Sequence, residues 1–166
     1  FAAAAAAPRA PVVPHALNWQ ARLAFAAGEY EEALHWYQEV LDQYPGSVLE
    51  GQIWKDKALV YKKLGRVDEA IAAFAQVERE SAVWTKVQAE AGEMLLAAGR
   101  LDEFETQFDI KGAIESSADD GETRAELHYI QARIARELGD PQAEIEHMSE
   151  ALAHGERLMP MMADVT

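Results

Sequence analysis

The stretch that decides the fold is LAFAAGEYEEALHWYQEVLDQYPGS, residues 23–47, in which one glycine separates two segments that favour helix. Small and apolar residues precede Gly28, and an acidic, aromatic run follows it as far as Pro45. Glycine adopts a positive φ without steric penalty, so it can end a helix and let the chain reverse. The stretch therefore predicts the turn of a helical hairpin.

The same join occurs four times along the chain. The motif AAGEYEEA at 26–33 has counterparts in KLGRVDEA at 63–70, AAGRLDEF at 97–104 and ELGDPQAE at 137–144. The four glycines, Gly28, Gly65, Gly99 and Gly139, are separated by 37, 34 and 40 residues. Joins that share one pattern at nearly constant spacing indicate internal repeats with a period of 34 residues and short insertions.

Side-chain size repeats at fixed distances from these glycines. Seven residues before each glycine stands a small residue: Ala21, Ala58, Gly92 and Ala132. Nine residues after each stands a bulky one: Tyr37, Phe74, Phe108 and Met148. Five residues before each stands an apolar one: Leu23, Val60, Met94 and Ile134. Small positions that face bulky ones, with an apolar stripe on the first helix, predict closely packed helix pairs.

This pattern resembles the tetratricopeptide repeat, a 34-residue antiparallel pair of helices, over about Pro14 to Leu158. In the first unit the matching residues are Trp19, Ala21, Leu23, Gly28, Tyr30, Ala33, Tyr37 and Pro45. In the second they are Trp54, Ala58, Tyr61, Gly65, Ala70 and Phe74. The resemblance implies an all-α fold of tandem helix-turn-helix repeats stacked in a right-handed superhelical solenoid.

The last two units depart from the family pattern. Phe104 stands where the family has alanine, and Pro141 and Glu144 interrupt the fourth unit, whose second helix can shift by one residue toward Ala143 and Ile145. An ordinary helical bundle with glycine turns is the competing interpretation. Thr123 is expected to cap a helix. Trp19, Trp36, Trp54 and Trp84 are expected to pack in the core or between repeats.

The repeats divide the chain into three parts. Residues 1–13 form an alanine- and proline-rich leader or linker, and 14–158 form the repeat domain. Its four hairpins are expected at about 14–47, 51–82, 85–118 and 125–158. Residues 159–166, which are rich in methionine, form a tail or cap the last repeat.

Composition excludes several classes of protein. The chain has 15 Lys and Arg against 29 Asp and Glu, a net charge of −14, which disfavours binding to nucleic acid. It has no cysteine, so disulfides and thiol ligands are excluded, and it has no apolar run long enough to span a bilayer. The chain begins with phenylalanine, so we expect a processed or truncated piece. Its compartment stays undecided between the cytoplasm and the bacterial cell envelope.

Motifs for chemistry are missing from the sequence. The five histidines show no zinc-binding spacing, and the glycines lie at hairpins and not in phosphate-binding loops or nucleophile elbows. We therefore predict a protein that is not an enzyme and that has no metal or cofactor.

Repeats of this family usually bind peptides or protein partners on the concave surface formed by their first helices. Carried over position by position, this resemblance selects groove residues whose charged members are mostly basic. Glu93, Glu126 and Glu137 are the opposing charges, and Phe25, Ala26 and Leu59 are among the apolar members. The candidate binding residues are Asn18, Arg22, Lys55, Lys62, Lys63, Lys86, Tyr129, Arg133 and Arg136. They predict a groove for an acidic segment or a free carboxyl terminus, and the alternative is a solvated helix face.

Two rival functions remain open at this point. The first is a structural protein that associates with copies of itself through its terminal units. The second is a regulatory domain of a larger enzyme, which the alanine- and proline-rich leader favours. In each interpretation the partner is a protein, and a homo-oligomer is compatible with the sequence.

Overall fold

The computed structural model describes residues 12–155, and these residues form helices joined by turns, without a strand among them. The chain divides into two compact units, residues 1–76 and residues 77–166. The prediction of an all-α repeat fold is confirmed.

Unit 1 consists of two helical hairpins. The first pairs α1 (Val12–Ala27) with α2 (Tyr30–Gln43), and the second pairs α3 (Glu50–Lys63) with α4 (Val67–Phe74). Helix α3 also packs on α2, so the two hairpins share one apolar cluster. Helix α1 begins inside the stretch expected as a leader (1–13), and residues 1–11 lie outside the described part of the chain.

The turn of the first hairpin is closed by two backbone hydrogen bonds. Gly28 has a φ of 81°, its N–H donates to the carbonyl of Phe25 at 3.0 Å, and the N–H of Glu29 donates to the carbonyl of Ala24 at 2.9 Å. The same pair of bonds forms at Gly65, Gly99 and Gly139, each with positive φ. This is the Schellman arrangement, which satisfies carbonyls at a helix end. The predicted turns are therefore confirmed.

Most of the predicted packing positions are buried. The small residues Ala21, Ala58, Gly92 and Ala132 are buried, as are Tyr37, Phe74 and Phe108, whereas Met148 is half-buried. Val60, Met94 and Ile134 are buried too, but Leu23 is 65% exposed, so the predicted stripe fails in α1. The prediction of a packed tryptophan is also wrong for Trp19, which is 60% exposed. Trp84 is buried, and Trp36 and Trp54 are half-buried.

Unit 2 begins with an irregular hairpin. Helix α5 (Trp84–Ala98) is regular, but a 3₁₀ turn (Leu101–Glu103), α6 (Phe104–Gln107) and α7 (Ile110–Ser116) take the place of one second helix. Asp109 separates α6 from α7. Its carboxylate accepts a hydrogen bond from the N–H of Gly112 at 2.8 Å, and its own N–H donates to Gln88 Oε1 at 2.8 Å. The break is therefore held by specific hydrogen bonds.

The second hairpin of unit 2 pairs α8 (Gly121–Leu138) with α9 (Pro141–His154). Asp120 caps α8 by accepting from the N–H of Thr123 at 3.1 Å, so the prediction that Thr123 is the cap is wrong. Asp140 caps α9, and Pro141 takes the first helical position, where its missing N–H costs nothing.

The expected one-residue shift in the fourth repeat is not seen. Ile145 is 63% exposed, so it does not replace a core residue of α9. The methionine-rich segment 159–166, which was predicted to form a tail or cap the last repeat, lies outside the described residues.

Candidate partner-binding surface

The predicted binding residues fall into two groups that belong to different units. Asn18, Arg22, Lys55, Lys62 and Lys63 lie on α1 and α3 of unit 1. Lys86, Tyr129, Arg133 and Arg136 lie on α5 and α8 of unit 2. The surroundings of the two groups differ in shape and in charge.

Unit 1 contains a concave cavity of about 260 Å³ between α1, α2 and α3. Its lining residues are Arg22, Phe25, Ala26, Tyr37, Asp56 and Leu59. Of these, Arg22, Phe25, Ala26 and Leu59 occupy groove positions that the family resemblance selects, whereas Tyr37 belongs to the core. Burial, and secondarily the charge of Asp56, raises the pKa of the Tyr37 hydroxyl, which therefore stays protonated.

Asp56 places a carboxylate in the wall of this cavity. Gln52 Nε2 donates to Asp56 Oδ1 at 2.7 Å. Burial raises the pKa of Asp56, while the Gln52 hydrogen bond and the charges of Lys55 and Arg22 oppose that shift. Sequence reasoning missed Asp56, although its spacing of four residues from Gln52 and three from Leu59 places all three on one helix face.

The other predicted residues of unit 1 differ in their accessibility. Arg22 is exposed, and its guanidinium lies 5.1 Å from the centre of the Trp19 ring. Lys62 and Lys63 are exposed in the last turn of α3. Asn18 is only 8% exposed, and its Oδ1 is buried with no hydrogen-bond partner within the described part of the chain. In this conformation a ligand cannot reach that oxygen.

In unit 2 the predicted arginines are engaged by carboxylates. Arg133 Nη1 lies 3.1 Å from Glu93 Oε1, and its guanidinium sits 5.7 Å from the centre of the Tyr129 ring. Arg136 Nη2 lies 2.6 Å from Glu144 Oε1, which ties α8 to α9. Tyr129 is 7% exposed. These contacts hold helices of unit 2 together.

The surroundings of α8 are acidic. Burial raises the pKa of Glu126, and the nearby charges of Glu90, Glu93, Glu122 and Asp120 raise it further. Lys86 is exposed on α5, where its charge helps to lower the pKa of Asp120. The sequence had indicated Glu93 and Glu126 as opposing charges, but not the clustering of carboxylates around Glu126.

Two histidines meet between α8 and α9, although they are 19 residues apart in the chain. His128 Nδ1 lies 3.2 Å from His147 Nδ1, and burial lowers the pKa of His128, as does the neighbouring His147. Sequence spacing could not reveal this contact, because it depends on how the hairpin packs. Within residues 12–155 no group of three His, Asp or Glu side chains is arranged to hold a metal ion.

Two family models described as tetratricopeptide repeat match the chain, one at residues 13–79 and one at residues 55–110. Together they cover 13–110, more than half of the 166 residues. The chain belongs to the tetratricopeptide repeat family. Membership supports a general role as a scaffold for protein–protein interaction. No match is found among curated proteins.

Three solved structures illustrate the fold. MamA of MSR-1 has a TM-score of 0.63 at 17% identity over 87% of this chain and 78% of that one. MamA of AMB-1 has a TM-score of 0.65 at 18% identity over 90% and 77%. A Podosopora anserina putative kinesin light chain with nearly identical TPR-like repeats has a TM-score of 0.62 at 18% identity over 94% and 81%. At these identities the likeness shows the fold alone.

None of the helices in the described part of the chain combines the length and the apolar run that a membrane crossing demands.

Proposed function

We propose that this tetratricopeptide repeat protein binds an extended, acidic segment of a protein partner in the concave cavity of unit 1, without catalysing a reaction. The observation that carries the proposal is a cavity lined by Phe25 and Leu59 with Arg22 in its wall and Lys55 close to Asp56. Apolar lining beside exposed cations suits a peptide that combines an apolar side chain with carboxylates.

The size of the cavity favours a peptide over a small-molecule ligand. Its volume of about 260 Å³ lies below the roughly 300–1,000 Å³ typical of small-molecule pockets. Such a space suits one apolar side chain of an extended segment, while the rest of the segment lies along the helices. Arg22 in the wall would pair with a carboxylate next to that side chain.

The basic residues of α1 and α3 favour an acidic peptide. The chain carries a net charge of −14, yet α3 contains Lys55, Lys62 and Lys63, and Lys55 and Arg22 both act on the charge of Asp56. Each exposed ion pair contributes only about 0.2–1 kcal/mol, so binding needs several of them in addition to the buried side chain. A free terminal carboxylate and internal glutamates offer the same chemistry.

The test uses labelled synthetic peptides in which glutamates surround one leucine, and fluorescence anisotropy reports their binding to the full chain. One peptide ends in a free carboxylate, a second is amidated, and a third carries glutamine in place of glutamate. We expect the glutamine peptide to bind at least tenfold more weakly. A difference between the first two peptides assigns the terminal carboxylate, and equal binding assigns the internal glutamates.

A matched pair of variants locates the site. Ala26 lines the cavity two residues before Gly28, and Ala97 stands two residues before Gly99 in unit 2. Ala26→Phe fills the cavity without changing the charge and should abolish peptide binding, whereas Ala97→Phe should leave it intact. Lys55→Glu should weaken binding about tenfold, with exposed Lys111→Glu of unit 2 as the charge control. Full binding to Ala26→Phe would overturn the proposal.

A further inference from the structure

Helix α1 has an exposed face whose counterpart in the next hairpin is buried. Leu23 lies five residues before Gly28 and is 65% exposed, whereas Val60 lies five residues before Gly65 and is 1% exposed. Ala16 and Ile53 both lie twelve residues before their glycine, and again Ala16 is exposed while Ile53 is fully buried. The exposed face of α1 is therefore the one that α3 uses to pack on α2.

Helix α9 exposes the complementary face. Ile145 and Leu152 lie six and thirteen residues after Gly139 and are 63% and 48% exposed. At the same distances after Gly28 stand Leu34, which is 8% exposed, and Leu41, which is half-buried. Leu34 and Leu41 belong to the apolar cluster in which Ile53 and Val60 of α3 are buried. The exposed face of α9 is therefore equivalent to the face of α2 that contacts α3.

The two helices also differ in charge. The sequence of α1, VVPHALNWQARLAFAA, has one arginine and no acidic residue. The sequence of α9, PQAEIEHMSEALAH, has three glutamates and neither lysine nor arginine. Glu144 of α9 already pairs with Arg136 of α8, and Arg22 of α1 lies in the wall of the unit 1 cavity. The other two glutamates of α9 oppose its pairing with its own copy, whereas α1 brings no acidic residue to them.

The polar contact between α3 and α2 also has counterparts in α1 and α9. In unit 1, Lys57 Nζ donates to Gln38 Oε1 at 2.6 Å between α3 and α2. Lys57 lies eight residues before Gly65, where α1 has Gln20, and Gln38 lies ten residues after Gly28, where α9 has Ser149. Gln20 and Ser149 can both form hydrogen bonds, so α1 packed on α9 would also have a polar pair at the position of Lys57 and Gln38.

We propose that α1 of one copy of this protein packs on α9 of a second copy, in the register in which α3 packs on α2. The interface joins two different faces, so each dimer keeps one unpaired face of each kind. Association therefore continues beyond the dimer unless the assembly closes into a ring. The proposal is independent of the peptide-binding cavity of unit 1.

Sedimentation of the full chain over a range of concentrations tests the proposal. We expect the mean mass to rise with concentration past that of a dimer. Leu23→Glu and Ile145→Glu change exposed residues, so both variants should keep the helical circular dichroism of the parent. Each removes one apolar face, and each alone should associate at least roughly tenfold more weakly.

Mixing the two variants distinguishes this interface from a symmetric one. Leu23→Glu keeps the α9 face and Ile145→Glu keeps the α1 face, so an equimolar mixture should form a dimer and no larger species. A mixture that stays monomeric, while the parent associates, overturns the proposal. A parent that is monomeric at every concentration also overturns it.

Cysteine cross-linking tests the register. The chain has no cysteine, so Gln20→Cys with Ser149→Cys introduces the only two thiols. Oxidation should give a ladder of covalent multimers, whereas Gln20→Cys with Lys111→Cys should not. Covalent dimers from Gln20→Cys alone would indicate that α1 pairs with α1, which contradicts the proposal.

Discussion

Units 1 and 2 share the same spacing of small, glycine and bulky residues, yet they differ in regularity and in surface. Both hairpins of unit 1 have two continuous helices, whereas the first hairpin of unit 2 has its second helix divided at Asp109. Residues 1–76 carry seven basic and nine acidic side chains, and residues 77–166 carry eight and twenty. The repeated spacing therefore determines the hairpins, whereas the residues between the repeated positions determine the charge of the surface.

The cations illustrate the difference. In unit 1, Arg22 and Lys55 lie near a single half-buried carboxylate in the cavity wall, that of Asp56. In unit 2, Arg133 and Arg136 are bound by Glu93 and Glu144 in contacts that join helices. Arg22 and Arg133 both lie six residues before their glycine, yet one lies in a cavity wall and the other joins two helices.

The largest expected effect concerns the bulky position nine residues after each glycine. Phe74 of unit 1 is fully buried and Met148 of unit 2 is half-buried. Phe74→Ala should lower the free energy of unfolding by about 3–5 kcal/mol, and Met148→Ala by about 1 kcal/mol, because less apolar area is lost. Urea denaturation followed by circular dichroism measures both. Equal losses would show that the two positions pack alike.

A smaller effect is expected at the break in unit 2. A Cβ added to Gly112 would lie 2.2 Å from Asp109 Oδ2 and 2.9 Å from Arg79 Nη2, so Gly112→Ala must displace the cap of α7. We expect a loss of about 1–3 kcal/mol in thermal or urea unfolding. Gly121→Ala is the control, because its Cβ would meet only the His154 carbonyl at 3.6 Å. An unchanged stability of Gly112→Ala would show that the cap does not hold the break.

The smallest effect concerns the carboxylates. The pKa of folded Glu126 lies above its usual 4.5, so at pH 7 its charge opposes folding. Glu126→Gln should raise the free energy of unfolding at pH 7 by about 0.5 kcal/mol. The gain should shrink as the pH falls through the raised pKa and vanish below 4.5, where the unfolded chain is protonated too.

Asp56→Asn is the matched variant for unit 1. Burial raises the pKa of Asp56 as well, but Arg22, Lys55 and the Gln52 hydrogen bond favour its charged form. We therefore expect a smaller gain at pH 7 than for Glu126→Gln. Urea titrations at several pH values compare the two, and a larger gain for Asp56→Asn would reverse the electrostatic contrast between the units.

Sequence reasoning succeeded where structure is determined locally. The turn at Gly28 and the burial of Ala21 and Tyr37 follow from spacing, because hairpin geometry fixes which residues face each other. It failed where a residue's environment depends on a neighbouring element. Trp19 and Leu23 have the apolar character of core residues, but no described helix covers their face.

The candidate site was predictable to a similar extent. Family positions selected Arg22 and Lys55, and the structure places both near one cavity. Position alone could not foresee that Arg133 would pair with Glu93, 40 residues away, or that Asn18 would be buried. Such pairing depends on side chains from separate helices, and a periodic pattern does not specify it.

The turn at Gly28 has a consequence for how such a protein can diversify. Its closing hydrogen bonds involve only backbone atoms of residues 24–29, so the reversal requires the absence of one Cβ and little else. A lineage can therefore exchange charges, lengthen linkers or recruit new ligands on the helices while the same reversal persists. Residues 1–76 and 77–166 use the same reversal although their net charges are −2 and −12.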